Sequence, residues 1–181
     1  MREKKIEKEI VKKAKNGDQE AFSWLYQKYG EQIFRFIYWR TSDKHLAEDL
    51  LQEVFLKAWD KIESYKERNL PIKAWFYRIA RNTVIDHYRT KKSDFSLDDV
   101  SVELASYKPD LAEKIDTNIE IEKIKKAINL LPDTQKEVIV LKFIEELTNK
   151  EIAKILKKSE GAIRLIQFRA LRHLKEILKD L

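Results

Sequence analysis

Few residues in this chain break a helix by their own chemistry: there are three Gly and three Pro in 181 positions. In a helix interior Gly costs about 1 kcal/mol and Pro about 3 kcal/mol relative to Ala. With so few of either, and with Leu, Ile, Lys and Glu abundant, the composition favours helix throughout and argues against a turn-rich β-protein. The breakers that exist fall at useful places. Gly17 can close a first helix, and Asp18 can cap a second, QEAFSWLYQKYGEQIFRFIYWR. In that segment Phe22, Leu25, Tyr26, Tyr29, Ile33, Phe36 and Ile37 recur at helical spacing and form one apolar face. Gly30 lies inside the run and is the candidate point for a break or bend. Thr41, Ser42 and Asp43 offer caps for a third helix reaching about Ile62. Pro71, in the loop SYKERNLPIK, stands near the start of a fourth.

From Ser93 to about Asn118 apolar residues are scattered and Ser, Asp and Pro interrupt any period, which reads as a linker or weakly ordered segment. Helical patterns resume with IEIEKIKKAINLL, and Pro132 marks a start or break. The expected architecture is all-α: a helical domain over residues 1–92, a flexible acidic linker over 93–120 and a second helical domain over 121–181.

Charge follows the same division. Lys61 to Lys92 holds nine Lys or Arg against three acids; Ser93 to Glu120 holds two Lys against eight acids; Thr148 to Leu181 holds nine Lys or Arg against four acids. Two basic blocks flanking an acidic one suggest two separate contacts with a polyanion, the alternative being the solvated faces of charged helices. The chain has no Cys, which excludes a disulfide framework, a thiol nucleophile and a cysteine zinc site, and fits a reducing, cytoplasmic setting. No apolar run approaches the roughly 18–20 residues that span a bilayer, so membrane insertion is not expected. The start, MREKKIEKEI, has no apolar stretch behind its charges and does not read as a signal peptide.

In the C-terminal half, Thr148 and Glu151 make a capping box, Ile152, Ile155 and Leu156 form an inward stripe, and the small Ala153 suits a close helix crossing. Ser159 can cap the next helix, where Ile163, Ile166, Ala170, Leu174 and Ile177 line one side. Two helices joined by a tight polar turn, the second one basic, are the pattern of a helix-turn-helix, although the turn lacks the usual Gly and a plain helical hairpin is the alternative. If the unit binds DNA, Glu160, Arg164, Gln167 and Phe168 face bases or sugar edges, while Lys157, Lys158, Arg169 and Arg172 suit phosphates. Arg172 and His173 read equally well as exposed helix residues.

In the third helix Asp49, Gln52, Glu53 and Leu56 share a stripe, with Leu50, Val54 and Trp59 as candidates for the core. Two carboxylates raise the thought of a metal, but no His or further acid completes a shell, and no cofactor is expected. On the fourth helix, KAWFYRIARNTVIDHYRTKK, the residues Arg78, Asn82, Asp86 and Arg89 fall within an arc of about 80°. Cations, hydrogen-bonding groups and rings in one place suit single-stranded nucleic acid. Trp75 reads as a core anchor before a stacking platform, and His87 as a packed residue.

AEDLLQEVFLKAW resembles region 2.2 of the sigma-70 family of bacterial RNA polymerase specificity factors. KAWFYRIARNTVIDHYR resembles its regions 2.3 and 2.4, and LPDTQKEVIVLKFIEELTNKEIAKILKKSEGAIRLIQFRALRHL its region 4. The likeness is to the small, extracytoplasmic-function (ECF) type and covers about Asp18 to Lys92 and Leu131 to Leu178. It implies a non-enzymatic transcription initiation factor that binds core polymerase, recognises and helps melt the −10 promoter element and binds the −35 element.

By the same resemblance Asp49, Gln52, Glu53 and Leu56 dock on the β′ coiled coil, and the β flap is a further polymerase contact. Residues 66–72, among them Arg68 and Asn69, form with Asn82 and Asp86 the pocket for a flipped −10 base. Arg78, Arg81, Arg89, Lys91 and Lys92 hold the backbone. Region 4 reads the −35 duplex, and the acidic linker threads polymerase channels. An anti-sigma factor is an implied partner. The chain departs from the family at GAIRLIQFRA, where many relatives read roughly GTVKSRLSRA, so no −35 sequence preference carries over. A stand-alone helix-turn-helix regulator would explain the C-terminal half but leaves the acidic stripe and the Arg-Asn-Asp-Arg face without a purpose. A nuclease would need the metal site that the sequence lacks.

Overall fold

The computed structural model describes residues 2–68, 70–94 and 119–181, and among these it is helical, with no strand. The N-terminal half holds α1 (Arg2–Lys15), α2 (Gln19–Thr41), α3 (Lys44–Lys61) with a 3₁₀ turn at Ile62–Ser64, and α4 (Ile72–Asp94). The C-terminal half holds α5 (Ile119–Asn129), α6 (Asp133–Ile139) running into a π-helical turn at Val140–Ile144, α7 (Asn149–Leu156) and α8 (Glu160–Asp180). The expected linker falls almost wholly on residues 95–118, which lie outside the described residues.

Helix starts sit where the sequence supplies acceptors for orphan N–H groups. Asp18 accepts from Ala21 N at 3.0 Å, Asp43 from Leu46 N at 3.0 Å and Ser159 from Ala162 N at 3.1 Å. Thr148 and Glu151 close the capping box in both directions. Pro71 and Pro132 stand immediately outside α4 and α6, where the missing N–H costs nothing and their carbonyls accept the first helical bonds. Gly17 takes φ +83 between α1 and α2, as a left-handed helix stop requires.

One expectation needs correction. Gly30 does not break its helix: α2 runs continuously past it, and Gly30 is buried with only the Tyr26 ring near its missing Cβ. The helix-turn-helix turn has no Gly, and Lys157 adopts the left-handed stop that Gly usually supplies, at φ 53.

The N-terminal core is aromatic. Phe76 of α4 packs on Tyr29, Phe55 and Trp75; Phe22 meets Trp59 edge-on at 4.9 Å; Tyr77 meets Phe36 edge-on at 5.4 Å. Each such pair adds about 0.5–1.5 kcal/mol beyond its area burial. Trp75 is 7% exposed and packs against Tyr65 with the rings tilted at 52°, so it anchors the helix and has no face free for a base. In the C-terminal half Leu141, Leu147, Ile152, Ile155, Ile163 and Ala170 are buried where α6 and α7 meet α8. The two halves pack together, and their buried apolar residues form one continuous cluster.

Two measurements check this account. Thr148→Ala removes the capping box and is expected to lower stability by about 1 kcal/mol, whereas Lys157→Gly relieves the left-handed strain and raises it by about 0.5–1 kcal/mol, both read by urea unfolding. Trp75→Ala is expected to cost about 3–5 kcal/mol by the same measurement, as a core residue does; a loss under about 1 kcal/mol marks Trp75 as a surface ring instead.

Candidate nucleic-acid and polymerase interface

The solvent face of α3 carries Asp49, Gln52, Glu53 and Leu56, all exposed, with Leu56 at 66%. Behind them Ala47, Leu50, Val54, Phe55 and Ala58 fill the core. The exposed Leu56 thus sits beside acidic and amide side chains on one face of the helix. Glu53 pairs with Lys57 one turn on, at 2.6 Å.

Successive ridges of α4 serve different neighbours, because each residue turns the helix by about 100°. Arg78, Asn82, Asp86 and Arg89 share the outward ridge; Arg78 is half-buried and the other three are exposed. Asp86 and Arg89 pair at 3.4 Å. Lys91 is exposed further on, and Lys92 belongs to α4 with its side chain outside the described set. His87 is half-buried with its ring edge-on to Tyr88, and Thr83 is buried. The groove between α3 and α4 is lined by Glu53, Asp86, His87, Thr90 and Lys91, so the acidic stripe and the outward ridge of α4 meet along one edge.

The loop before α4 is braced internally. Tyr65 donates its buried hydroxyl to Leu70 O at 2.8 Å, and Lys15 of α1 donates to Tyr65 O at 2.7 Å. Desolvation pushes the Tyr65 phenol well up from its ordinary range, so it remains a donor. Arg68 is exposed beside this brace, and Asn69 lies outside the described residues. A rise of 1.5 Å per residue puts Asn82 about 15 Å along α4 from Ile72. The helix therefore sets the loop and the Asn82–Asp86 ridge at successive positions along its length.

In the C-terminal half α7 and α8 form the expected hairpin, with Ile163 and Ala170 buried and Ile166, Leu174 and Ile177 packed beside them. Lys157, Lys158, Glu160, Arg164, Phe168 and Arg169 are exposed, Phe168 at 66%, and Gln167 is half-buried. Glu160 and Arg164 pair at 3.6 Å. His173 is held by Gln135 at 2.8 Å, and Arg172 pairs with Glu176 at 3.3 Å.

Arg81 departs from the expected role of a free cation. It stands on a third ridge of α4 with Lys73 and Tyr77, at steps of four, and this ridge faces the C-terminal half. Arg81 Nε lies 2.9 Å from Oε1 of the buried Glu137. Neither atom has a hydrogen-bond partner, because the approach is off-axis, so the contact is an ion pair without a directed bond. Arg40 Nη1 is 3.8 Å from the same oxygen and donates to Asp133 O at 3.3 Å. Nearby, burial and Arg40 lower the affinity of Lys136 for its proton.

One turn further, Arg35 grips Glu145 through Nε at 2.8 Å and Nη2 at 3.0 Å, Tyr77 donates to the same carboxylate at 2.6 Å, and Lys73 Nζ donates to Glu145 O at 3.0 Å. The bond to Glu145 raises the Arg35 pKa, and burial followed by the Glu145 charge pushes the Tyr77 phenol far up. Sequence reasoning did not single out Arg35, Lys73, Tyr77, Glu137 or Glu145. The available signal was a lone charge in an apolar run: Arg35 within IFRFIYW, and Glu137 and Glu145 bounding VIVLKFI. Among the described residues there is no cluster of acids or His that could hold a metal, and no helix is long and apolar enough to cross a membrane.

The sigma-70 region 2 model matches residues 25–93, and the sigma-70 region 4 model matches residues 127–176. The ECF RNA polymerase sigma factor SigW of Bacillus subtilis is 35% identical over 96% of this chain and 97% of its own length. The ECF RNA polymerase sigma factor BldN of Streptomyces coelicolor is 34% identical over 95% of this chain, which spans 66% of that longer protein. Among solved structures, the sigma factor RpoE of Bartonella quintana, in complex with the anti-sigma factor NepR, superposes with a TM-score of 0.68 at 26% identity, over 87% of this chain and 96% of that one. Both family regions occur in order, on the two helical halves that the structure shows, and the chain belongs to the sigma-70 family as an ECF-type RNA polymerase sigma factor.

Proposed function

We propose that this sigma factor works by dividing promoter recognition between its halves and polymerase docking from α3. Residues 1–92 bind core polymerase and the −10 element, residues 93–120 link, and residues 121–181 bind the −35 element. Asp49, Gln52, Glu53 and Leu56 dock on the β′ coiled coil, and the C-terminal half meets the β flap. Arg68, Asn69, Asn82 and Asp86 take the non-template −10 strand, with Arg78, Arg81, Arg89, Lys91 and Lys92 on its backbone. In the −35 duplex, Lys157, Lys158 and Arg169 position α8 on phosphates, while Glu160, Arg164, Gln167 and Phe168 face the groove. The observation that carries this reading is the exposure of two separate basic helical faces, on α4 and α8, each anchored by buried residues of its own helix.

The factor acts by binding and not by catalysis, in the cytoplasm. Capturing an extruded base offsets the few kcal/mol lost on unstacking, which is how binding energy opens a duplex. The RpoE relative is held by an anti-sigma factor, and an inhibitor of that class is the proposed regulator here.

Purified with core polymerase, the protein is expected to co-elute with it and to direct run-off transcription from a cognate promoter. Absence of association at every salt concentration would favour a stand-alone DNA-binding regulator. Asp49→Ala with Glu53→Ala is expected to weaken core binding about tenfold or more while leaving the melting curve within about 0.5 kcal/mol of the parent, since both side chains are exposed. Normal core binding by that double variant refutes the docking assignment. Asn82→Ala is expected to weaken −10 strand binding by about 1–3 kcal/mol and spare core association, as measured by fluorescence anisotropy with fork DNA.

A further inference from the structure

One side chain ties both ends of the loop that leads into α4. Tyr65 opens the loop, its N–H donating to Ile62 O at 3.0 Å and its ring buried against Trp75. Its hydroxyl crosses to the far end and donates to Leu70 O at 2.8 Å, where Leu70 and Ile72 are themselves buried. Positions 66–69 lie between these anchors, and Lys66, Glu67 and Arg68 are exposed.

The freedom that remains is the direction in which the chain leaves Tyr65. A peptide unit is planar, so orienting the Tyr65 carbonyl orients the N–H of Lys66 with it. That carbonyl accepts from Lys15 Nζ at 2.7 Å, and a cationic donor makes the bond one of the stronger kind. Lys15 is the last residue of α1, a helix seated in the core by Val11 and Ala14 and lying outside the residues that the region 2 model matches.

Close packing does not replace this bond. A cavity of about 220 Å³ lies between α1 and the loop, with Glu7, Lys8 and Val11 on one side and Tyr65, Glu67 and Pro71 on the other. Lys8 and Glu67 pair at 3.2 Å, but both are exposed, and such pairs contribute little. Without the Lys15 bond the loop has room to shift.

We propose that α1 is a strut for this loop, and that Lys15, together with Tyr65, is a positioning residue for the choice of base in the −10 strand. The proposal rests on the assignment of Arg68 and Asn69 to that strand. Tyr65 is 4% exposed, so it acts through the loop and not by touching a base. Discrimination between bases is a difference of affinities. A loop held in one conformation cannot reshape itself around a wrong base, whereas one released toward the cavity can, and it must also be ordered again around the right one. Cutting the strut therefore costs selectivity where the loop meets the strand and leaves polymerase docking and the −35 contact alone.

The test uses holoenzyme assembled from the full chain and core polymerase, with a fork-junction DNA library that has a fixed −35 duplex and a randomised −10 strand. Sequencing the bound fraction gives the base preference at each −10 position. Lys15→Met keeps the aliphatic stem and Tyr65→Phe keeps the ring. Each is expected to flatten the preference at one or two adjacent positions by about three- to tenfold, the loss that one hydrogen bond gives, with core association at the parental value. Lys15→Arg is expected to restore the preference. In the free factor the amides of residues 66–70 should exchange hydrogen faster in Lys15→Met than in the parent, and circular dichroism checks that each variant folds; should Tyr65→Phe unfold, Lys15→Met decides alone. Parental preference in the folded variants overturns the strut, as does an equal loss of −10 preference, −35 duplex binding and core association. Arg68→Ala with Asn69→Ala separates the two readings. Preference lost in that double variant but kept in Lys15→Met overturns the strut alone, and preference kept in both overturns the assignment of the loop to the −10 strand.

Discussion

One helix, α4, has to satisfy three neighbours at once, and the architecture follows from how it does so. Ala74, Phe76, Ala80 and Val84 are buried in the aromatic core. Lys73, Tyr77 and Arg81 meet the C-terminal half. Asn82, Asp86 and Arg89 are left to solvent. These ridges are set only by the 100° turn per residue, so moving one side chain from ridge to ridge needs only a one-residue change in register. Tyr77 belongs to two of them: its ring packs edge-on against Phe36 and its hydroxyl donates to Glu145.

That sharing couples the core to the outward ridge proposed to read DNA. Trp75, Phe76 and Tyr77, all buried, anchor the helix and so fix the direction of its outward ridge. In the proposed role, rigid presentation limits the entropy lost on gripping a flexible single strand. On α8 the same logic holds: Ile163 and Ala170 anchor the helix, and the exposed Arg164, Phe168 and Arg169 are carried outward on its far side.

The acidic residues separate into two kinds. Asp49 and Glu53 are exposed and lie on a helix whose own core is complete without them. Glu137 and Glu145 are buried, and their cationic partners come from the other half of the chain. Burial of a carboxylate is costly unless cations meet it, so the position of the C-terminal half is tied to Arg35, Arg40 and Arg81. The loop before α4 has a different support: Lys15 reaches it from α1, which lies outside the residues matched by the region 2 family model.

The local features were legible in the sequence, since the interactions that set them span only a few residues. Asp18, Asp43, Thr148 and Ser159 cap the helices they precede, and the apolar stripes of α2, α7 and α8 face inward as their spacing requires, except for Tyr26, which lies at the rim of its stripe and stays exposed. Trp75 is buried as a core anchor for the same reason. Gly30 misled because burial beside Tyr26 outweighs its intrinsic cost to a helix, and Lys157 takes a left-handed stop as the C-cap of α7, its N–H donating to Ala153 O. What only the tertiary structure decided is the fate of Arg35, Tyr77, Arg81, Glu137 and Glu145. A charge on a helix flank has the same sequence signature whether it faces water or a partner 110 residues away, and only the meeting of the two halves distinguishes them.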